Sequence, residues 1–384
     1  MSEFSLEGVS INTSNSAQTS SNSVKKNSVL GIDIEEGLIG RGGACLVNVL
    51  NSFALLFSGA DRSPQCLCDL WKYDYPSNEY PNGTWLQIDN DGEGEVPMAR
   101  SESSAVSYGK YVFVFGGVDF GGDPDDENSP GITVFNELYV LDTETWNWRY
   151  VGEQGCEILA RSNHSINIIY DKNQGKDGDK YLVIFGGANP EKGPLNDTII
   201  AKLPSMDDIG KDDVYVKWEV LNTSSPSPSM REMHATTVVD GSLYISGGKN
   251  GADLMNDVWK LSITKGTNDD DKPVFVWNEV KELILPTPRC GHGMITSSIN
   301  ELIIFGGAVG ESFMSGISIN NDMISISTNN TSSTNNKWNI IFEKHDTIAT
   351  RFSTSMCSKD DDGAMIIFGG MNEEKDHGDI WIIN

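Results

Sequence analysis

The chain has 384 residues, 38% hydrophobic with nine Trp, and its 28 basic against 55 acidic side chains leave a net charge of −27. That is enough apolar material for a packed core, and so acidic a surface argues against nucleic acid or anionic membrane as a partner. No run reaches membrane-spanning length; LVNVLNSFALLF at 46–57 is interrupted by Asn48 and Asn51.

Residues 1–26 are rich in Ser, Asn and Thr and poor in apolar side chains, so they cannot offset their ordering entropy and are expected to be a disordered tail. The start MSEFSLEGVSINTSNS has neither a basic opening nor an apolar stretch, unlike a secretory signal. With six scattered cysteines (45, 66, 68, 156, 290 and 357) lacking metal-ligand spacing, a cytoplasmic protein with reduced thiols is expected.

From residue 27 to 384 one pattern recurs six times. An apolar run ends in a glycine pair at YVFVFGG (111–117), YLVIFGG (181–187), LYISGG (243–248), LIIFGG (302–307) and MIIFGG (365–370), with a weaker FALLFSG at 53–59. The second glycine falls at 59, 117, 187, 248, 307 and 370, giving spacings of 58, 70, 61, 59 and 63 residues. An arginine precedes each run: Arg41, Arg100, Arg161, Arg231, Arg289 and Arg351. An acidic residue then leads another apolar segment: Asp69, Glu137, Asp197, Asp257, Asp322 and Asp379. A tryptophan marks a further segment at Trp85, Trp146 or Trp148, Trp218, Trp277 and Trp338, and the sixth copy has none.

Each copy therefore reads as four short strands: one after the arginine, one ending in the glycines, one after the acidic residue and one holding the tryptophan. A four-stranded blade cannot cover both of its own faces, so six blades are expected to form a closed ring, an all-β six-bladed β-propeller of four antiparallel strands per blade in one domain, 27–384. The sixth copy lacks its fourth strand. SVLGIDIEEGLIGR before Arg41 parallels WNIIFEKHDTIATR before Arg351, so residues 28–33 are expected to supply it from the N-terminal side.

These elements, with Arg-x-x-His at Arg161/His164, Arg231/His234 and Arg289/His292, resemble the kelch family of β-propellers over about 41–384. Copy one departs with Ser58-Gly59, copy three with Ile199-Ile200 where an aromatic is usual, and copies one, two and six lack the histidine. The resemblance implies a protein-binding scaffold without catalysis or cofactor.

The loops joining second to third strands share a face with those entering the first, and 118–135, 308–320 and 371–378 are long. Asp119, Asp123, Asp125, Asp126 and Glu127 would present a negative rim to a basic protein or peptide, bound by a monomeric propeller. Arg100, Arg161, Arg231, Arg289 and Arg351 gather near one end of the channel, where they would either grip an acidic or phosphorylated ligand or brace the blades. Recurrence in every module favours bracing. The same recurrence speaks against a metal at His164, His234 and His292. Two metal-dependent kelch-like enzymes form the alternative. Galactose oxidase uses tyrosines, histidines and a Tyr–Cys crosslink, but here only His345 and His377 lie outside the repeat histidines. Specifier proteins use Glu-x-x-x-Asp-x-x-x-His, and the nearest match, Glu373, Glu374, Asp376 and His377, lacks that spacing.

Overall fold

The computed structural model describes residues 29–32, 37–63, 66–89, 95–121, 131–173, 178–222, 226–265, 272–297, 300–329, 337–359 and 363–383. The tail expected at 1–26 lies outside them. The fold is an all-β propeller; helix among the described residues is confined to Met206–Ile209 and a 3-10 turn at Lys281–Leu283.

The four strands expected of a repeat are visible in the fourth copy. Ala235–Val239 follows the arginine, Ser242–Ser246 runs into the glycines, Val258–Lys265 follows Asp257, and Pro273–Glu279 carries Trp277, all paired antiparallel in that order. The first, second, third and fifth copies build sheets on the same plan. In the second, Trp148 lies in the outer strand Asn147–Tyr150, whereas Trp146 sits in the preceding turn at φ 60°. Ser355–Ser358, Met365–Phe368 and Ile380–Ile383 form a sheet whose outer member is Val29–Ile32, with Val29 opposite Ile383 and Leu30 opposite Ile382.

Two features were not expected. Gly152–Gly155 adds a parallel fifth strand to the third copy's sheet, outside Tyr215–Val220. The fifth copy's long loop is mostly strand, because Glu301–Ser312 and Gly316–Ser327 continue as one hairpin well beyond the glycine pair.

Among the described residues, sheets pack face to face in six apolar clusters, five drawn from consecutive copies and one from the first and last. Tryptophans of outer strands lie against the aromatic residue that ends the preceding copy's second strand: Trp148 on Phe57 at 5.0 Å, Trp218 on Phe115 at 6.3 Å, Trp277 on Phe185 at 5.4 Å. Trp85 lies on Phe368 at 5.5 Å, so the first and last copies meet through the same contact. Each such aromatic pair adds about 0.5–1.5 kcal/mol beyond the area it buries.

The glycine pair belongs to these seams. Gly247 and Gly248 both have positive φ, 57° and 99°, and a Cβ on Gly247 would lie 2.5 Å from the carbonyl oxygen of Arg289 in the next copy. That close approach lets the Gly248 amide donate to the same carbonyl at 2.9 Å. The bond recurs from Gly59, Gly117, Gly187, Gly307 and Gly370, the last reaching Arg41 at 2.8 Å. Ser58 stands where the other copies have the first glycine and takes the same left-handed conformation at φ 66°.

Candidate functional site

The arginines are the natural starting point, being polar, large and almost wholly buried: Arg289 is 2% exposed and the other five 0%. A buried guanidinium needs its charge and five donors answered within the protein. In Arg231, Nη1 donates to the Gly247 carbonyl at 3.0 Å, Nη1 and Nη2 each reach a carboxylate oxygen of Asp257 at 2.7 Å, and Nε donates to Ser229 O at 3.1 Å. Arg161 with Asp197, Arg289 with Asp322 and Arg351 with Asp379 repeat the bidentate pair and the bond to the first glycine's carbonyl. Arg41 does the same with Asp69 and the Ser58 carbonyl. Where tryptophan follows two residues later, its indole N–H donates to the same carboxylate, from Trp71 at 2.7 Å and from Trp259 and Trp381 at 2.6 Å. Burial pushes the Asp257 and Asp379 carboxyls up, but the bonds and charge of Arg231 and Arg351 outweigh it, and both end below the ordinary value.

The second copy departs. Glu137 replaces aspartate and its longer side chain lies 3.6 Å from Arg100 Nη2 without a hydrogen bond. Arg100 instead stacks over Phe135, 4.1 Å from the ring centroid. Burial lowers its pKa, opposed by the Glu137 charge.

The residue two positions after each arginine adopts a left-handed conformation: Gly43, Glu102, Asn163, Met233, Gly291 and Ser353, with φ between 51° and 63°. Their amides form a closed circle. Gly43 donates to Ser353 O, Ser353 to Gly291 O, Gly291 to Met233 O, Met233 to Asn163 O, Asn163 to Glu102 O and Glu102 to Gly43 O, at 2.8–3.1 Å. This circle rims the channel mouth. Beside it rise the hairpins that begin the second-to-third-strand loops, tied to the rim by bridges such as Ser101 to Val118 and Glu232 to Lys249.

Of the acidic residues expected on this face, Asp119 ends the short strand Val118–Asp119 and accepts from the Gly121 amide at 3.2 Å. Asp123, Asp125, Asp126 and Glu127 lie outside the described residues. Asp376, in the acidic run of the last copy, is taken by Arg62, whose backbone amide donates to it at 2.8 Å. His377 is buried, and its pKa is lowered to about 4 by burial and Arg351.

Sequence reading did not single out Glu102. It projects at the mouth between Asn163, whose amide donates to it, and Glu232, itself paired with Lys249. Burial, then the Glu232 charge, holds the Glu102 pKa above the usual carboxylate range. Below it, His164, His234 and His292 line a cavity of about 150 Å³ that opens at the mouth. His234 Nε2 pairs with Ser165 Oγ at 3.0 Å and His292 Nε2 with Ser246 Oγ at 2.8 Å. Burial and the neighbouring arginines lower all three imidazole pKa values, to about 3 for His234, so they are neutral at pH 7. Among the described residues, no three His, Cys, Asp or Glu side chains are grouped so as to hold a metal ion.

Comparison with known proteins gives a consistent picture. The family model described as the KLHDC2/KLHL20/DRC7 Kelch-repeats domain matches residues 7–174 and 119–332. Kelch domain-containing protein 10 of Rattus norvegicus is 28% identical over 304 residues, covering 75% of this chain and 63% of its own length. Adagio-like protein 1 of Oryza sativa is 28% identical over 218 residues, 56% of this chain and 29% of that protein. The F-box/kelch-repeat protein At1g51550 of Arabidopsis thaliana is 26% identical over 225 residues, 57% of this chain and 41% of that protein. The chain thus spans less than two thirds of these relatives' lengths. Among solved structures, that titled "Structure of YjhT" superposes with a TM-score of 0.59 at 14% identity, covering 89% of this chain and 94% of that one, a likeness of fold.

Proposed function

The chain belongs to the kelch-repeat family of β-propellers, and from that premise we propose that it is a non-catalytic interaction module that holds a basic segment of a partner protein across the loop face. One observation carries the reading: Glu102, Glu232 and Asp119 stand on or beside a rim whose backbone is fixed by a circle of hydrogen bonds, while the six repeat arginines are buried. Burial of those six arginines leaves the acidic side chains of the rim, on a chain of net charge −27, to dominate the field a partner meets. The arginines in this reading are braces, each joining the end of a second strand to the start of a third within its own blade.

The ring is proposed to have six blades, with Val29–Ile32 completing the last. Six sheets of four or more strands, six inter-sheet clusters and the six-membered circle of amides support that count. A monomeric, cytoplasmic protein suits the charge of −27 and six cysteines that form no disulfide.

Affinity capture tests the function. The full chain and a variant carrying Asp123→Asn, Asp125→Asn and Asp126→Asn are used as baits at low and high salt. The expected result is a set of basic partners lost with the variant and with salt; equal capture by both baits refutes the acidic rim. Copper or iron retained in stoichiometric amount after dialysis would favour the enzyme reading instead.

A further inference from the structure

Two departures from the shared blade plan lie side by side between the second and third copies. Glu137 stands where the other copies have aspartate, and Gly152–Gly155 is the strand added outside Tyr215–Val220. That strand is anchored on both sides. Val151 and Ile158, 0% and 2% exposed, are buried in the apolar cluster between the two copies. Glycines begin and end it; Gly155 has φ 95°, and a Cβ there would lie 2.1 Å from the Trp218 carbonyl oxygen. The Gly152 amide donates to Val214 O at 2.9 Å and the Cys156 amide to Trp218 O at 3.0 Å.

Between the glycines, Gln154 is exposed and Glu153 is half-buried. Oε1 of Glu153 is buried without a hydrogen-bond partner, and the nearby Trp218 indole N–H is equally unpaired. Glu137 faces it from the second copy, and one oxygen of that carboxylate is also buried and unpaired. Arg100 Nη2, 3.6 Å from Glu137, makes no hydrogen bond to it. Burial and then the Glu153 charge push the Tyr150 hydroxyl up, and Glu95 accepts from the Tyr150 amide at 3.0 Å. Lys217 and Glu219 on the adjoining strand pair with each other at 3.6 Å, and Arg149 Nη2 donates to Ile209 O at 2.9 Å. Among the described residues, no cation pairs with Glu153. A carboxylate so placed is opposed by burial and by a like charge, whereas the protonated acid escapes both.

We infer that Gly152–Gly155 is a proton-controlled flap, docked while Glu153 is protonated and lifting between its glycines when Glu153 ionises, so that the outer edge of Tyr215–Val220 is uncovered. Such an edge is a row of backbone donors and acceptors with which another extended chain can pair. Burial, opposed by the Trp218 indole and helped by the Glu137 charge, raises Glu153 from 4.5 to about 7. Because the docked value is the raised one, docking is tightest below about 4.5 and is lost as pH rises through about 7. Val151 and Ile158 confine the opening to the few residues between them.

Hydrogen exchange of the full chain, corrected for the intrinsic rate and followed by mass spectrometry, tests the flap. Peptides covering 151–157 report it, and peptides covering 258–265 and 273–279, the outer pair of the fourth copy, are the control. Flap protection should fall by about tenfold or more between about pH 5 and pH 8 while the control holds. Glu153→Gln should keep the low-pH protection throughout. Flat protection in the wild-type flap would overturn the inference. So would a fall shared by Glu153→Gln, or an equal fall in the control peptides, which would make the opening global.

Discussion

Substituting Asp257 by asparagine isolates the interaction on which each blade depends. The carboxylate accepts two bonds from Arg231 at 2.7 Å and one from the Trp259 indole at 2.6 Å, and its side chain is 25% exposed against 0% for the arginine. Asparagine removes the charge and turns an N–H donor towards a guanidinium, leaving a buried cation unanswered. Breaking a buried pair in this way costs about 3–5 kcal/mol, and the partial exposure of Asp257 places the expected loss near the lower end, about 3 kcal/mol. Glu137→Gln is the internal comparison. Its pair with Arg100 is 3.6 Å apart with no hydrogen bond, so the loss should be nearer that of a weak ion pair, about 1 kcal/mol or less. Equilibrium urea unfolding of the three proteins at pH 7, compared through midpoints and slopes, gives the difference. The pKa of Asp257 fixes the sign of the acid limb. Because its folded value is depressed, its contribution is complete above the ordinary carboxylate pKa of about 4 and disappears as pH falls through the folded value. Asp257→Asn should therefore flatten the acid loss of stability as well as lowering the plateau. Equal midpoint shifts for Asp257→Asn and Glu137→Gln would refute the view that bidentate geometry, and not mere proximity of opposite charge, stabilises the blades.

Two further outcomes follow from the same structure. Deleting residues 1–26 should leave the melting temperature unchanged, whereas deleting 1–36 removes the partner of Ile380–Ile383 and should lower it sharply; equal melting of the two truncations would sink the proposed closure. His234 should destabilise the protein in mild acid: its pKa falls to about 3 on folding, through burial and the charge of Arg231, so stability is full above the unfolded value of about 6.5 and is lost below it. Between pH 7 and 5 the wild-type chain should lose about 2 kcal/mol more than His234→Gln, and parallel pH profiles would contradict this.

Much of the blade was legible because its determinants are side chains at fixed offsets. The Arg231-to-Asp257 spacing, the glycines at 247 and 248 and the apolar run of Leu243, Tyr244 and Ile245 announce a strand order that the hydrogen bonds then realise. What escaped depends on backbone geometry or on distant pairing. The circle of amides runs through Gly43, Glu102, Asn163, Met233, Gly291 and Ser353, six positions sharing a left-handed φ but no residue type; two glycines and one asparagine were the only hint. The strand Gly152–Gly155 has no apolar alternation, since it pairs in parallel at an outer edge where few side chains are buried. The part of the hairpin across 308–320 reads as a loop in the sequence, and only bulged pairing, shifted between Phe305 and Gly307, carries the ladder through the glycine pair.

This division between what repeats and what varies bears on function. Arginine, glycine and acid recur because each solves the same packing problem in every blade, and in all but the second copy the guanidinium and the carboxylate are bonded to each other. The position two residues after the arginine is constrained only in φ, so its side chain is free to differ, and in this chain it carries Gly, Glu, Asn, Met, Gly and Ser around the mouth. Non-glycine residues in that conformation are uncommon, and two of them, Glu102 and Met233, have no backbone-mimicking side chain to ease it. Holding a glutamate there, against burial and beside a second glutamate, costs stability that glycine in the same place would not. In the proposed function that cost is offset by what the carboxylate meets from outside.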